Sequence, residues 1–571
     1  MKSKNPLLNL LHGIKWPKTI IALAITISTL GSIFALLVPL FTGQLVDGLA
    51  KKQINISFIL IFSIVFLLNI ILSGIGIYLL SKFGETLIYS IRLKLWKHII
   101  YLDMPFFESN ESGQLMSRLI DDTTVINNFI AIKLSTLFPS LISVVGSIFI
   151  LFIIDWKMTF LILIIFPIFL ITIKPLGNMI QNIAINTQAE IATFSGFLGK
   201  ILNAIFLIKT STSEENEINN AEKNLKKIYN LNLKQAKIFS IIQPLSGLVT
   251  LITIGVLLVF GGYRVSIGSI TSGNLVSMLF YVVQLSNPLM NISSTIAEYK
   301  KTIGATQRIN EIMSYNKESL SGTIIDSNNS SNLEFIDVNF TYNKKYIFEN
   351  INLCFPKNKI TAIVGPSGAG KSTIFKLIER MYPINSGYIK YGNLNIDTLF
   401  LKQWREKIGY VMQDNPMING TVKENLLYGV EKNVNNEELI ECCSLAGCHE
   451  FIKDFEDGYN TVIGESGKRL SEGERQRINI ARNFIKNPEI LLLDEITSNL
   501  DSESELKIQK SLNKLVKNKT TIIIAHRLST IKEADQIIFL DKGKVTGKGN
   551  HYNLMKYHNK YRAYVKQQSY H

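Results

Sequence analysis

The pattern of hydrophobic and polar positions divides the chain near residue 315. Before that point lie six stretches without Asp, Glu, Lys, Arg or His: Thr19–Val46, Ile54–Ser81, Leu134–Ile154, Met158–Ile173, Ile238–Tyr263 and Val265–Ala297. Each holds a run near the roughly 20 apolar residues that cross about 30 Å of hydrocarbon. Met158–Ile173 is short, and its helix is expected to continue past Lys174 and Pro175. Six such runs in succession predict membrane helices rather than buried soluble ones. The first is too long for a removable signal peptide, and Val38-Pro39-Leu40 offers no small-residue cleavage pattern.

The connections between runs are unequal. Asp155-Trp156-Lys157 joins the third to the fourth, whereas 82–133 and 174–237 are long and helical in period. Leu87, Ile91, Leu95, Ile99 and Leu102 recur at i+4 and i+3, one apolar helical face. These connections are expected to be helices that leave the bilayer and carry something at their tips. No ionisable residue sits mid-span, so the proton relay of a proton-coupled carrier is missing. Asn69, Gln243, Tyr281, Gln284, Asn287 and Phe280 are left to line a substrate path or, by the more common use of such residues, to pack helices.

Composition adds limits. With 571 residues, 47% hydrophobic and 18% charged, the chain exceeds a single small domain and is poorer in charge than soluble domains, which run at about 25%. The formal charge of +15 comes almost entirely from lysine, where a nucleic-acid surface would more often draw on arginine; charge alone decides nothing here, and no nucleic-acid partner is expected. Four cysteines, Cys354, Cys442, Cys443 and Cys448, exclude a disulfide scaffold and fit a reducing compartment. The spacing of Cys442, Cys443, Cys448 and His449 matches no common zinc pattern, leaving buried thiols as the default.

After a Ser/Asn/Gly-rich linker at 316–332, Ile360–Val364 reads as a buried strand running into Gly365-Pro366-Ser367-Gly368-Ala369-Gly370-Lys371-Ser372-Thr373. This is GxxxxGK[ST], a loop whose backbone N–H groups wrap phosphates at a helix N-terminus. Lys371 would reach the β- and γ-phosphates, and Ser372 would bind Mg²⁺. Farther on, Ile490–Leu493 is an apolar strand ending in Asp494 and Glu495. Asp494 is expected in the Mg²⁺ shell, and Glu495 is expected to orient or deprotonate the attacking water.

With these elements in order, the last 230 or so residues resemble the nucleotide-binding domain of an ATP-binding cassette (ABC) transporter. The resemblance assigns Tyr342 to stacking on adenine and Gln413 to sensing Mg²⁺ and touching the membrane domain. It assigns Ser498-Asn499-Leu500-Asp501 to the loop linking two ATP sites, and His526 to the γ-phosphate. Leu470-Ser471-Glu472-Gly473-Glu474 stands where the family has Leu-Ser-Gly-Gly-Gln. Ser471 and Gly473 would present their donors to the nucleotide held by the opposite subunit. Pro105-Phe106-Phe107, Gly113-Gln114-Leu115, Ser117-Arg118-Leu119 and Asp121 resemble the first cytosolic loop of the exporter branch, whose tip couples to the ATPase. The acidic run Glu214-Glu215-Asn216-Glu217 falls where the second coupling segment is expected, or is a solvated helix face.

The implied fold is an all-α, six-helix transmembrane domain of ABC exporter type I (1–315), a linker (316–332) and an α/β P-loop nucleotide-binding domain (333–571). The expected activity is ATP-driven export, with Mg²⁺, of hydrophobic or amphipathic molecules of the multidrug type. Alternatives are a dedicated exporter of a leaderless antimicrobial peptide or a lipid, and an ATP-gated membrane protein. Partners would be the bilayer and a second copy, or a different half in a heterodimer. A cytosolic ATPase and six crossings put the amino terminus in the cytosol at the cytoplasmic membrane. With about 18 residues before the first run and no cysteine before Cys354, no leader-cleaving protease domain is expected. Two departures stand out. Glu474 for glutamine is isosteric and mild, whereas Glu472 for glycine puts a carboxylate near a phosphate and is expected to slow turnover. The helix N-terminus offsets such a charge by about 0.3–1 kcal/mol.

Overall fold

The computed structural model describes residues 6–568 except 13, 15, 54, 55, 111, 325–330, 343, 344, 465, 466, 495–501, 526 and 527. At 165–174, 246, 293, 297, 502–504, 529, 530 and 568 it describes the backbone alone. Contacts group the chain into two units, Met1–Ile100 with Ser112–Tyr315, and Tyr101–Glu111 with Asn316–His571. The tip of the first long connection therefore belongs by its contacts to the second unit, where Phe106 is buried.

The first unit is helical: α1 (Lys18–Ala50), α2 (Ile56–Ile99), α3 (Leu134–Ile154), α4 (Trp156–Asn203), α5 (Glu214–Ser266) and α6 (Ser272–Ser314). Among the described residues five stretches are long and apolar enough to cross a membrane: Lys18–Ala50, Ile56–Ile99, Ser112–Ile154, Glu214–Ser266 and Ser272–Ser314. The remaining sequence run, Met158–Ile173, lies in α4, an unbroken helix of 48 residues that also continues past Lys174 and Pro175. At 1.5 Å per residue the 44 residues of α2 extend roughly 66 Å, about twice the hydrocarbon thickness. The predicted face at Leu87, Ile91, Leu95 and Ile99 is buried along its whole length.

Polar residues of the spans join helix to helix. Pro39 has no N–H, so the Ala35 carbonyl loses its partner inside α1. Gln284 Nε2 of α6 donates to that oxygen at 3.2 Å. One and four residues further along α1, Tyr281 donates to Leu36 O and Ser277 Oγ to Pro39 O at 2.9 Å. Asn69 Nδ2 of α2 donates to Gly31 O at 3.1 Å. Asn69, Tyr281 and Gln284 thus serve helix packing, while Phe280 is exposed. At one end of this seam the backbones nearly touch: a Cβ on Gly273 would lie 2.0 Å from Gly43 O, and one on Gly43 would lie 2.4 Å from Gly273 O. Asp47 Oδ1 accepts from Gly273 N at 2.7 Å, capping α6.

The second unit contains two sheets. One is antiparallel, ordered β2 (Lys345–Phe355), β1 (Leu333–Tyr342), β4 (Ser386–Tyr391) and β5 (Leu394–Asn395). The other is ordered β10 (Lys544–Gly549), β9 (Gln536–Asp541), β3 (Ile360–Val364), β8 (Thr520–Ile524), β7 (Ile490–Asp494) and β6 (Ile408–Val411). All of its neighbours are parallel except β10 on β9. Alternate residues of this sheet enter opposite cores, as a strand's period of two requires. Ile363, Leu492 and Ile522 pack with Phe348, Phe375 and Trp404, whereas Val364, Leu491 and Leu493 pack with Ile478, Ile485 and Ile508. Both faces are therefore covered, which is why these strands read as continuous apolar runs. Linker residues are tied to this unit: Glu318 takes two hydrogen bonds from Arg405 (2.8 and 2.9 Å), and Thr323 N donates to Thr398 O at 2.7 Å.

Candidate nucleotide site

β3 ends in the glycine loop. Gly370 has φ +100° and a Cβ there would lie 2.8 Å from the Phe348 ring; one on Gly365 would lie 2.0 Å from Leu540 O. Only glycine satisfies both the conformation and the space. Gly368 has open space where a Cβ would stand, and Pro366, Ser367 and Gly368 are exposed, so the loop's backbone faces outward. The helix α7 (Lys371–Ile378) follows directly. Lys371 is 7% exposed and its Nζ donates to Gly365 O at 2.7 Å and Pro366 O at 3.1 Å. Ser372 is exposed at the first turn beside half-buried Thr373, and Ala369 is buried. An exposed glycine loop, a helix N-terminus and one ammonium group fit a polyphosphate.

β7 lies two positions from β3, with β8 between them, and all three are parallel. Their carboxyl ends share an edge, so Asp494 emerges on the side where the glycine loop begins. The hydroxyl of Tyr410, on the neighbouring β6, donates to Asp494 Oδ2 at 3.2 Å. Burial, and then the Asp494 charge, push the Tyr410 phenol far above its ordinary pKa, so it remains a donor at every working pH. Glu495, directly after β7, and His526, two residues after β8, lie outside the described residues, as do Ser498, Asn499, Leu500 and Asp501. Gln413 is exposed just after β6, and its backbone oxygen accepts from Asn415 Nδ2 at 3.2 Å.

Tyr342 ends β1 in an aromatic group, 4.7 Å from Phe340 and 5.0 Å from Tyr382 between ring centroids, both edge-on. Lys376 of α7 sits 5.9 Å from the Tyr342 ring and 5.6 Å from Tyr382, and its Nζ is 3.0 Å from Glu108 Oε1. Partial burial works to raise the Glu108 pKa, but Tyr382 and Lys376 prevail and hold it below the usual carboxylate range. Glu108 thus brings the tip of the first long connection beside the aromatic group.

Ser471 caps α8 (Glu472–Lys486) in a reciprocal box. Its N–H and hydroxyl both donate to Glu474 Oε2 at 2.8 Å, and Glu474 N returns a bond to Ser471 Oγ at 3.3 Å. Gly473 is buried in the first turn. At the tip of the second long connection Glu214, Glu215 and Glu217 form the first turn of α5, with Lys209 Nζ 3.0 Å from Glu214. Beside them the helix Ile205–Thr210 exposes Ile205, Phe206 and Leu207. Glu108, Lys376, Tyr382, Tyr410 and Asn415 carry no motif, so the sequence offered no signal for them.

Residues 21–289 match the family described as ABC transporter transmembrane region, and residues 348–498 match the ABC transporter family. A multidrug resistance ABC transporter ATP-binding and permease protein of Lactococcus lactis subsp. cremoris is 35% identical over 548 residues, spanning 96% of this chain and 92% of its own length. The chain is an ABC transporter. An ATP-dependent lipid A-core flippase of Syntrophus aciditrophicus is 32% identical, over 84% of this ABC transporter and 80% of the flippase. The solved structure of a bacterial Atm1-family ABC exporter with ATP bound shares the fold, with a TM-score of 0.82 at 23% identity over 96% of this chain and 98% of that one. The protein is thus a multi-pass membrane ABC exporter that binds ATP and couples its hydrolysis to export.

Proposed function

We propose that two copies of this chain form a multidrug-type exporter of the cytoplasmic membrane, with the amino terminus and ATPase in the cytosol. The domains would be 1–315 and 333–571, joined by 316–332. The observation that carries the reading is the shared strand edge from which the glycine loop and Asp494 emerge, in a chain with apolar spans. Gly365–Thr373 cradle the phosphates, with Lys371 exchanging its loop carbonyls for phosphate oxygens, and Tyr342 stacks on adenine. Ser372, Gln413 and Asp494 would hold Mg²⁺, which supplies charge neutralisation on the phosphates. Glu495 takes or orients the proton of the attacking water, and His526 touches the γ-phosphate. Each site is completed by Ser471 and Gly473 of the partner subunit, and closure over ATP drives the spans outward.

A second copy is also supported by the 80% exposure of Phe206 at the tip of the second connection, an apolar surface that needs cover. The name of the Lactococcus relative supports drug-like cargo. The flippase relative supports lipid cargo as a second reading.

The test is ATP-dependent uptake of a cationic hydrophobic dye into inside-out vesicles, with Glu495→Gln as the control. Uptake abolished in the variant is expected. Parental ATPase activity without dye uptake transfers the assignment to lipid or peptide, and uptake unaffected by Glu495→Gln removes the catalytic assignment.

A further inference from the structure

We propose that Glu472, in the place of a family glycine, is a positioning residue that ties the signature helix to the segment after Gln413. The proposal rests on the reading of Ser471 as a phosphate contact. Both carboxylate oxygens of Glu472 are engaged. Oε1 accepts from Asn415 Nδ2 at 3.0 Å, and Oε2 is paired with Arg475, one turn along α8.

Asn415 is the centre of the bridge. It is 3% exposed and held at φ +44°, a conformation asparagine tolerates better than most residues. Its Nδ2 donates both to Glu472 and to Gln413 O (3.2 Å), and its Oδ1 accepts from Asn479 Nδ2 at 3.1 Å. Glu472, Arg475 and Asn479 follow one another at i, i+3 and i+7, one face of α8. Asn479 is itself buried and anchored, since its carbonyl accepts from Asn483 Nδ2 at 2.9 Å.

Asn415 therefore grips the signature helix at its first turn and again two turns later, while its amide holds the backbone of Gln413. Glycine at 472 would leave the first grip without an acceptor. A movement of Gln413 toward Mg²⁺ is passed through Asn415 to Glu472, whose neighbour is Ser471. The same engagement turns the carboxylate toward Arg475 and Asn415, so its charge is compensated within its own chain. The sequence expectation that Glu472 slows turnover by repelling phosphate is replaced by one in which it assists turnover.

The bridge and the repulsive brake make opposite predictions for the full-length transporter in phospholipid nanodiscs, read as ATPase kcat and KM for MgATP. On the bridge, Glu472→Ala and Asn415→Ala each lower kcat about three- to tenfold with KM changed less than about twofold. The double variant falls no further than either single one, as expected for partners in one contact. Glu472→Gln keeps an acceptor oxygen and recovers most of the rate. Glu472→Asp keeps the charge but is a methylene too short, and falls with the alanine variant.

Parental kcat in Glu472→Asp, a rate increase in both Glu472→Ala and Glu472→Gln, or additive losses in the double variant would overturn the bridge. So would a lowered melting temperature with unchanged kcat. Ser471→Ala serves as the separate check: if it retains parental activity, the reading of Ser471 fails whatever Glu472 does. If it is inactive while all Glu472 variants are unchanged, the bridge alone fails.

Discussion

Lys371 is buried, and its ammonium group donates to two carbonyls of its own loop, Gly365 O and Pro366 O. Truncating it removes a preorganised charge from the place where negative charge develops. Lys371→Ala is expected to lower ATPase kcat at least about 100-fold, with the helical circular dichroism unchanged. Lys371→Arg is expected to fail as well, because the bulkier planar group does not fit a 7% exposed slot. Glu379, just past the end of α7, sets a different condition. Burial raises its pKa to about 7 against the opposing charges of Arg405 and Lys486. Folding thus favours its protonated form. Its share of stability is present at low pH and is lost as pH rises from the unfolded value near 4.5 through 7. Glu379→Gln is therefore expected to stabilise the cassette by roughly 1–3 kcal/mol at pH 8.5 and hardly at all at pH 4.5. Denaturant unfolding at the two pH values checks it, and an equal effect at both would contradict it.

Among the elements, the α1–α6 seam shows how a proline and two glycines cooperate. Pro39 frees a carbonyl, Gln284 satisfies it, and Gly43 with Gly273 lets the backbones approach closely enough for Asp47 to cap α6. A valine at 273 would drive its Cβ into Gly43 O, which is backbone and has nowhere to move. Gly273→Val is expected to abolish recovery of folded transporter, whereas Gly74→Val, with no atom within 4 Å of its Cβ position, leaves yield near parental; detergent-solubilised size-exclusion yields decide. The tip of the first connection is an electrostatic contact. The Glu108 pKa is depressed, so the stability it lends is present above the ordinary carboxylate range and lost as pH falls through its lowered value. Glu108→Gln or Lys376→Met is expected to lower dye transported per ATP hydrolysed while leaving basal ATPase within about twofold. Equal loss of both activities would show that the contact serves folding alone.

At the level of the assembly, the signature serine and the glycine loop lie on separate elements, the first at the head of α8 and the second at the end of β3. A reading in which each ATP is held by two chains predicts that native mass spectrometry of the chain expressed alone gives an ATPase-active species of twice 64.4 kDa. An active species of one chain mass would sink it, and an inactive single chain would point to a different second half. The hydrophobic pattern made most of the architecture legible. A charge-free run of some 20 residues has few options other than a membrane helix, and the buried face at Leu87, Ile91, Leu95 and Ile99 was visible from its spacing. The acidic run at Glu214 was harder, because charge alone does not distinguish a docking tip from the first turn of a helix, which is what it forms.

The membrane helices, two central strands of the parallel sheet and the phosphate loop were legible in the chain because each depends on residues close together: a long apolar run, a short one, a fixed glycine spacing. Tertiary structure alone decided what distant residues do to one another. Lys376 is drawn between Tyr342 and Glu108, 268 positions away; Tyr410 reaches Asp494 across β6 and β7; Gln284 finds the carbonyl that Pro39 released. Glu472 shows the difference at one site. In the sequence it is a charge where a phosphate should sit; in the fold it has Arg475 and Asn415 to hold, and an ion's effect is set by the partners around it rather than by its place in a motif.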